Sequence, residues 1–356
     1  MILTEKSVGI KDVARHAGVS ISTVSNVLNG TRPVSLALTK RVMKAVKELN
    51  YETNLVGRQL KTGKSQQIAV VIPSITSIFF PNLLKSIQVA ADKEDYTVSI
   101  FNTKGDINQE RRVINLLRSR NYDGVMLSSC ADVDQIETAE YLDFLHAINF
   151  SSQPMHIICL EAAISSKLDA VVVNDLEGTM KATNYLIESG RRNIAHIAAP
   201  NQYMMGKNRR RGFISSLLLK GLSVDDHLIV EGRYTCESGY EAMKQLLHTG
   251  RTIDAVVAGN DQMAIGAINY LKQQKIRIPE DIAVVGFNDN TPASLISPSL
   301  TTIHIPKEEM GAQAFELFMR RVNNDQSARM MICLEGELVI RNSTDTGVKV
   351  EWDMNW

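Results

Sequence analysis

The chain has 356 residues, carries 39 Lys and Arg against 39 Asp and Glu, and is 44% hydrophobic and 22% charged. That composition excludes a disordered or collagen-like chain, and the length predicts two or three domains with sizeable cores. No apolar run approaches a membrane span, the start lacks a secretory signal's apolar stretch, and Cys130, Cys159, Cys236 and Cys333 form no CxxC pair, so free thiols in a reducing cytoplasm are expected.

The neutral total is unevenly distributed. Residues 1–65 hold eleven Lys and Arg against four Asp and Glu, a net charge of +7, and the rest of the chain carries −7. A basic head of this kind suits a polyanion. Three short helices are predicted within it. The first covers about Lys11 to Ala17 and stops at Gly18, a common residue just past a helix end. The second follows Ser20, a good N-cap, and runs to Asn29 before Gly30. The third runs from about Ser35 to Asn50, with Val42, Val46 and Leu49 on one face.

The second helix carries the functional signal. Val24, Val27 and Leu28 make an apolar stripe, and Ser22, Ser25, Asn26 and Asn29 fall opposite it. Two helices joined by a tight turn, the second with a small polar outer face, match a helix-turn-helix whose second helix enters the major groove. Small side chains let the backbone approach the bases. Asn26 can pair bidentately with adenine and Ile21 can touch a thymine methyl. The alternatives are a solvated polar face for Ser22 and Asn26, and packing at the core margin for Ile21.

After the segment 54–66 the texture changes to apolar, β-branched runs: 67–73, 97–102, 123–129, 156–160, 170–174, 193–199, 228–232, 254–260 and 282–288. Helical stretches at 80–94, 107–120, 176–189, 209–220, 237–248 and 261–274 separate most of them. Apolar strands with helical spacers predict parallel sheets covered on both faces, and this many units predicts two α/β subdomains. Ligands of such sheets bind beyond the carboxyl ends of the strands.

The sequence contains no GxSxG, HExxH, P-loop or GxGxxG motif, and its seven histidines lack metal-like spacing with the cysteines. Neither an enzyme nor a cofactor or metal site is expected.

The run IKDVARHAGVSISTVSNVLNG, followed by VSLALTKRVMKAVKELNY and RQLKTGKS, resembles the head of the lactose-repressor (LacI/GalR) family. FFPNLLKSIQVAADKEDY, YDGVMLSS, RRRGF, AGNDQMAIGA, IPEDIAVVGFND and SPSLTTIHIP resemble that family's effector domain, in the same order. The resemblance covers nearly the whole chain. It implies a small all-α helix-turn-helix head plus an α/β, periplasmic-binding-protein-like body of two parallel-sheet subdomains. The domains it implies are 1–53 for the head, 54–65 for a hinge helix and linker, 66–345 for the body and 346–356 for a tail.

The resemblance also implies roles. Ile21, Ser22 and Asn26 match base-choosing positions, and Asn26 stands where relatives often have a longer side chain. Thr23 and Ser25 match backbone-contacting positions, Asn29 shares their face, and Arg32 matches a position that reaches bases or phosphates. Leu60 matches the hinge leucine that wedges into a minor-groove base step, Lys61 lies beside it, and Gly57 replaces the usual alanine, which predicts a hinge poorly folded away from DNA. In the body, Phe79 and Phe80 match cleft positions on the first lobe, where they stack on a ligand or pack in the core. Arg209, Asn260, Asp261 and Asn288 match cleft positions on the second lobe. Cys159 and Asn288 stand where relatives have aspartate, and Asn174-Asp175 reverses a usual Asp-Asn. With fewer carboxylates around Arg209, a less hydroxyl-rich or more anionic ligand is expected. Lobe crossings are expected near 160–162, 303–306 and 332–336.

The reading is a cytoplasmic, homodimeric transcriptional regulator, a repressor by expectation. It binds a pseudo-palindromic double-stranded DNA operator under control of a small-molecule effector such as a sugar or related metabolite. A solute-binding body without DNA regulation and a ligand-independent DNA-binding protein are the rival readings. The tail has no leucine heptads and holds Trp352 and Trp356, either disordered or against a neighbouring surface.

Overall fold

A computed structural model describes residues 8–29, 32–51, 63–135 and 137–349. The polypeptide divides into two compact units, Met1–Ser65 and Gln66–Trp356.

The first unit packs α1 (Ile10–Ala17), α2 (Ile21–Asn29) and α3 (Leu36–Glu48) around Val13, Ala14, Ala17, Val24, Val42 and Ala45. Helix α1 ends at Gly18 in the left-handed conformation (φ 60°). The Val19 amide returns to the Ala14 carbonyl at 3.0 Å. Arg41 of α3 donates to the carbonyls of Ala17 (2.7 Å) and Gly18 (3.2 Å), so the turn before α2 is tied to the third helix. Ser20 caps α2 by accepting from the Thr23 amide at 3.0 Å.

The second unit contains β1 (Gln67–Ile72), α4 (Phe80–Asp92), β2 (Thr97–Asn102), α5 (Ile107–Ser119), β3 (Gly124–Leu127), α6 (Glu137–Asn149), β4 (His156–Glu161) and β5 (Asp169–Val173). It continues with α7 (Asp175–Glu188), β6 (Ile194–Ala198), α8 (Met204–Leu219), β7 (Ile229–Glu231), α9 (Cys236–His248), β8 (Ala255–Ala258), α10 (Asp261–Gln273) and β9 (Ala283–Asn288). It ends with α11 (Pro292–Leu295), β10 (Thr301–His304), α12 (Lys307–Val322), β11 (Met331–Leu334) and β12 (Glu337–Val339). Two six-stranded sheets result, ordered β11-β5-β4-β3-β1-β2 and β12-β10-β9-β8-β6-β7. Each defines one lobe. The pairings are parallel except β10 with β12, which is antiparallel.

Alternation along each strand feeds two cores. In β1, Ile68, Val70 and Ile72 pack with Leu83 and Ile87 of α4 and Phe315 and Phe318 of α12. Ala69 and Val71 face Ile114 and Leu117 of α5 and Leu145 of α6. Burial on both faces explains why the strands read as continuous apolar runs.

The chain first leaves the amino-proximal lobe after Val173, not near 160–162. Strand β5 pairs with β4 and β11 in the first sheet. Its leading Asp169 is held by Arg321 of α12 through two bonds of 2.7 and 2.8 Å and by the Met330 amide at 2.9 Å. Helix α7 then packs on α8 of the second lobe. The other crossings fall between β10 and α12 and between β11 and β12. Among the described residues, no helix is long and apolar enough to cross a membrane.

Candidate functional site

In the head, α2 presents the residues singled out in the sequence. Val24 is buried. Ile21 is 45% exposed, so it is not a core residue. Ser22 is exposed beside it, while Thr23, Ser25 and Asn26 are partly buried along the same helix. The Ser20 hydroxyl bonds those of Ser22 (2.7 Å) and Thr23 (2.8 Å), which fixes the first turn. Asn29 is the last residue of α2, and Arg32 is exposed in the following loop. Leu60, Lys61 and Gly57 lie outside the described residues, as do residues 350–356 of the tail with its two tryptophans.

In the body, a cavity of about 630 Å³ opens between the lobes at the carboxyl ends of the strands. Its size is that of an ordinary small-molecule site. Phe79, Phe80, Arg209, Asn260 and Asn288 all line it. The two phenylalanines meet edge to face, centroids 5.3 Å apart, and are both buried while bordering the cavity. They therefore serve as wall and core together.

Arg209, in the second turn of α8, is 5% exposed. Its Nε donates to Asp175 Oδ1 at 2.8 Å, its Nη2 lies 2.7 Å from the same oxygen, and its Nη1 donates to the Gly259 carbonyl at 2.5 Å. Its guanidinium stacks 3.9 Å from the Phe287 ring centroid. Burial pushes the Asp175 carboxyl up, and Arg209 pulls it back. The arginine is thus clamped, with its charge offset by Asp175, while it still borders the cavity.

Asn260 caps α10 by accepting from the Met263 amide at 2.9 Å, and its Nδ2 donates to the Tyr234 carbonyl at 3.1 Å. Asn288 sits at φ 105°, with Lys307 donating to its carbonyl. Its side-chain Oδ1 and the Tyr234 hydroxyl are buried with no partner among the described residues, and both residues border the cavity. Buried polar groups are normally satisfied, so both atoms are suited to a ligand or water.

Two sequence-predicted residues do not reach the cavity. Cys159 points from β4 into a core with Ile157, Val125 and Tyr141, two residues short of the strand's carboxyl end. Asp261 lies one layer behind, accepting from the Thr302 hydroxyl (2.5 Å) and the Asn290 amide (2.7 Å). Burial pushes its carboxyl up to about 7. It shapes the loop that carries Asn288.

The carboxylate expected at position 159 is supplied two residues later. Glu161 borders the cavity at φ 67°, and the Ser128 hydroxyl donates to its Oε2 at 2.5 Å. Burial pushes Glu161 up to about 7 against the pull of Ser128 and Arg209. Its signal in the sequence is its place as the first polar residue past the apolar run HIICL, where ligands of such sheets bind. Tyr234, on the loop after β7, carries no comparable signal. Exposed Lys104, Glu231 and Arg233 stand at the rim, with both signs of charge.

A profile of bacterial regulatory proteins of the lacI family matches residues 9–54, and one of periplasmic-binding-protein-like domains matches 183–344. The chain is 33% identical over 334 residues to the HTH-type transcriptional repressor PurR of Pasteurella multocida, covering 94% of this chain and 98% of that one. It is 32% identical over 336 residues to the HTH-type transcriptional regulator RegA of Clostridium saccharobutylicum, with the same coverage of 94% and 98%. Among solved structures, the lac repressor dimer bound to operator and the anti-inducer ONPF superposes with a TM-score of 0.84 at 25% identity, covering 95% of this chain and 99% of that one. The transcriptional regulator CelR in complex with cellobiose gives 0.71 at 28% identity, covering 94% and 99%.

Proposed function

The chain belongs to the lacI family of bacterial regulatory proteins, and on that premise we propose that an uncharged, hydroxyl-bearing metabolite in the interlobe cavity controls its binding to operator DNA. It is a DNA-binding transcriptional regulator with a ligand-binding body. The observation that carries the ligand class is the internal compensation of Arg209 by Asp175. Apart from Lys104, Glu231 and Arg233 at the exposed rim, the cavity wall offers mostly neutral donors and acceptors, a carboxyl that titrates near neutrality, and the rings of Phe79, Phe80, Tyr203 and Tyr234. Such a wall hydrogen-bonds hydroxyls and packs on the apolar face of a ring. A bare anion would instead meet Glu161, with the Arg209 guanidinium already engaged by Asp175 and the cations Lys104 and Arg233 out at the rim.

The operator contacts run through Ile21, Ser22, Thr23, Ser25, Asn26, Asn29 and Arg32 of the head, with Leu60 and Lys61 in the linker. The domain limits are those drawn from the sequence. The protein acts in the cytoplasm as a two-fold dimer, so its operator is pseudo-palindromic. Ligand shifts the population of closed bodies, and the paired heads gain or lose compatibility with DNA accordingly. The lac repressor was solved as a dimer on operator and CelR with cellobiose, which supports this reading by kinship.

The experiment pairs selection of binding sites from random DNA with titration of the selected duplex in the presence of metabolites. Neutral sugars, nucleobases and nucleosides form one panel, and sugar phosphates and carboxylates the other. A response confined to uncharged ligands is expected. A response confined to anions overturns the ligand class, and no response to any member overturns effector control.

A further inference from the structure

Helix α8 holds the cleft arginine on one side and reaches across the cleft on the other. Two residues before Arg209, Lys207 extends from the second lobe to the loop that follows β3 in the first. Its Nζ lies 2.5 Å from Asp132 Oδ1 and 2.6 Å from Asp134 Oδ2. The Lys207 and Asp132 side chains are only 12% and 17% exposed. Hydrogen bonding to the two carboxylates raises the pKa of the ammonium, and the ammonium in turn lowers that of Asp132.

The loop is shaped as a socket for this cation. Asp132 Oδ1 also accepts from the Asp134 amide at 3.2 Å, and the Asp132 carbonyl accepts from the Thr138 hydroxyl at 2.6 Å. Both carboxylates are thereby presented on one turn. At the start of the same helix, the Tyr203 hydroxyl lies so close to Gly105 of the first lobe that a Cβ there would approach it to 2.8 Å. A further interlobe bond lies elsewhere in the sequence, from the Ile78 amide to Gln262 Oε1 at 3.4 Å.

The chain makes all of these contacts with its own groups. We propose that Lys207 with Asp132 and Asp134 forms an interlobe latch that holds the cleft closed before effector binds, so that Lys207 sets the open-to-closed ratio without touching the effector. Its role is positional: closure aligns both walls of the cavity, and any ligand selective for the closed body gains affinity in proportion to the fraction already closed. Partial burial and two partners make this pair stronger than an exposed ion pair, while its position at the rim leaves it sensitive to salt.

The test is amide hydrogen exchange on the full-length, ligand-free protein, comparing wild type with Lys207→Met, Lys207→Arg and Asp132→Asn/Asp134→Asn. The decisive reporter is the Ile78 amide, which contacts neither Lys207 nor its partners. Exchange at Ile78 and across 203–206 is expected to rise about tenfold in Lys207→Met and in the double asparagine variant. Lys207→Arg is expected to retain most of the protection, and 1 M NaCl to mimic the Met variant. Amides of β1 and β8 serve as the control for general destabilisation and are expected to stay unchanged. Faster exchange confined to 129–135 would show a loop contact without a latch and overturn the proposal, as would wild-type exchange at Ile78 in both charge-removing variants.

Discussion

Replacing Arg209 with Met tests whether the floor of the cleft is a compensated ion pair. Met keeps much of the aliphatic volume and removes the guanidinium. Asp175 is 2% exposed, so the change strands a carboxylate in the interior and also empties the acceptor site at Gly259 and the face of Phe287. Breaking a buried pair from one side costs about 3–5 kcal/mol. At roughly 2–4 °C per kcal/mol for a domain of this class, melting should fall by roughly 6–20 °C at pH 7. Adding Asp175→Asn removes the stranded charge while keeping the side-chain shape, and should recover more than half of the loss. The pH dependence has a definite sign. A carboxyl whose folded pKa exceeds its unfolded value leaves the fold unpenalised below the unfolded value, and the penalty grows as pH rises to the folded one. Burial already raises Asp175 with Arg209 present, and the Met variant loses the opposing pull. Lowering the pH from neutrality toward the ordinary carboxyl range should therefore narrow the gap between Arg209→Met and wild type, and should do so far less with Asp175→Asn present. Calorimetric melts of the three proteins across that range read this directly. If Arg209→Met lies within about 1 kcal/mol of wild type, or if Asp175→Asn rescues nothing, the two groups do not compensate each other. The case for an uncharged effector then loses its foundation.

Three further outcomes follow from the same structure. Glu161 is raised by burial to about 7, so its charge penalises the fold increasingly between its ordinary carboxyl value and about pH 7, and fully above that. Glu161→Gln should therefore melt above wild type at about pH 8 and converge with it at about pH 5. Gly18 holds φ 60°, and a Cβ there would lie 2.7 Å from Arg41 Nη2. Gly18→Ala should thus cost the head about 1–2 kcal/mol, seen as a lower circular-dichroism midpoint of the head transition and weaker operator binding. Because Ile21 is largely exposed, Ile21→Ala should leave head stability within about 0.5 kcal/mol and change the base preferred at one operator position by about 1–3 kcal/mol, measured by repeating the DNA selection. An unchanged selected sequence would remove Ile21 from the reading surface.

The head was legible because each of its signals is local. Gly18 and Ser20 mark the turn through their own backbone requirements, and the Val24–Val27–Leu28 stripe needs only helical spacing. The ends of the chain's apolar strands were legible for the same reason. The first lobe crossing was not, because the run AVVV at 170–173 is apolar on both faces and would suit a central strand of either sheet. Its assignment depends on Asp169 meeting Arg321, 152 residues away, a contact no local pattern encodes. Helix α6 and helix α12 were likewise not set apart in the sequence, though α12 brings that arginine into place.

Four polar groups at or beneath the cleft share one positional rule. Glu161 ends β4, Asp175 follows β5 by two residues, Asn260 follows β8 by two and Asn288 ends β9. Each is a polar residue at or just past the carboxyl end of an apolar strand, where the backbone leaves the sheet and water or ligand replaces the next strand's side chains. The resemblance to relatives points to position 159 for the carboxylate, but Cys159 lies two residues short of that end. Its side chain is enclosed by the core that β4 shares with Val125 and Tyr141, whereas Glu161 lies far enough along to clear it. Distance along the strand therefore separates a core position from a cavity position. By the same rule Asp261 falls behind the cavity: it begins α10, whose first turn folds back over the sheet and carries the carboxylate to Thr302 instead of the ligand.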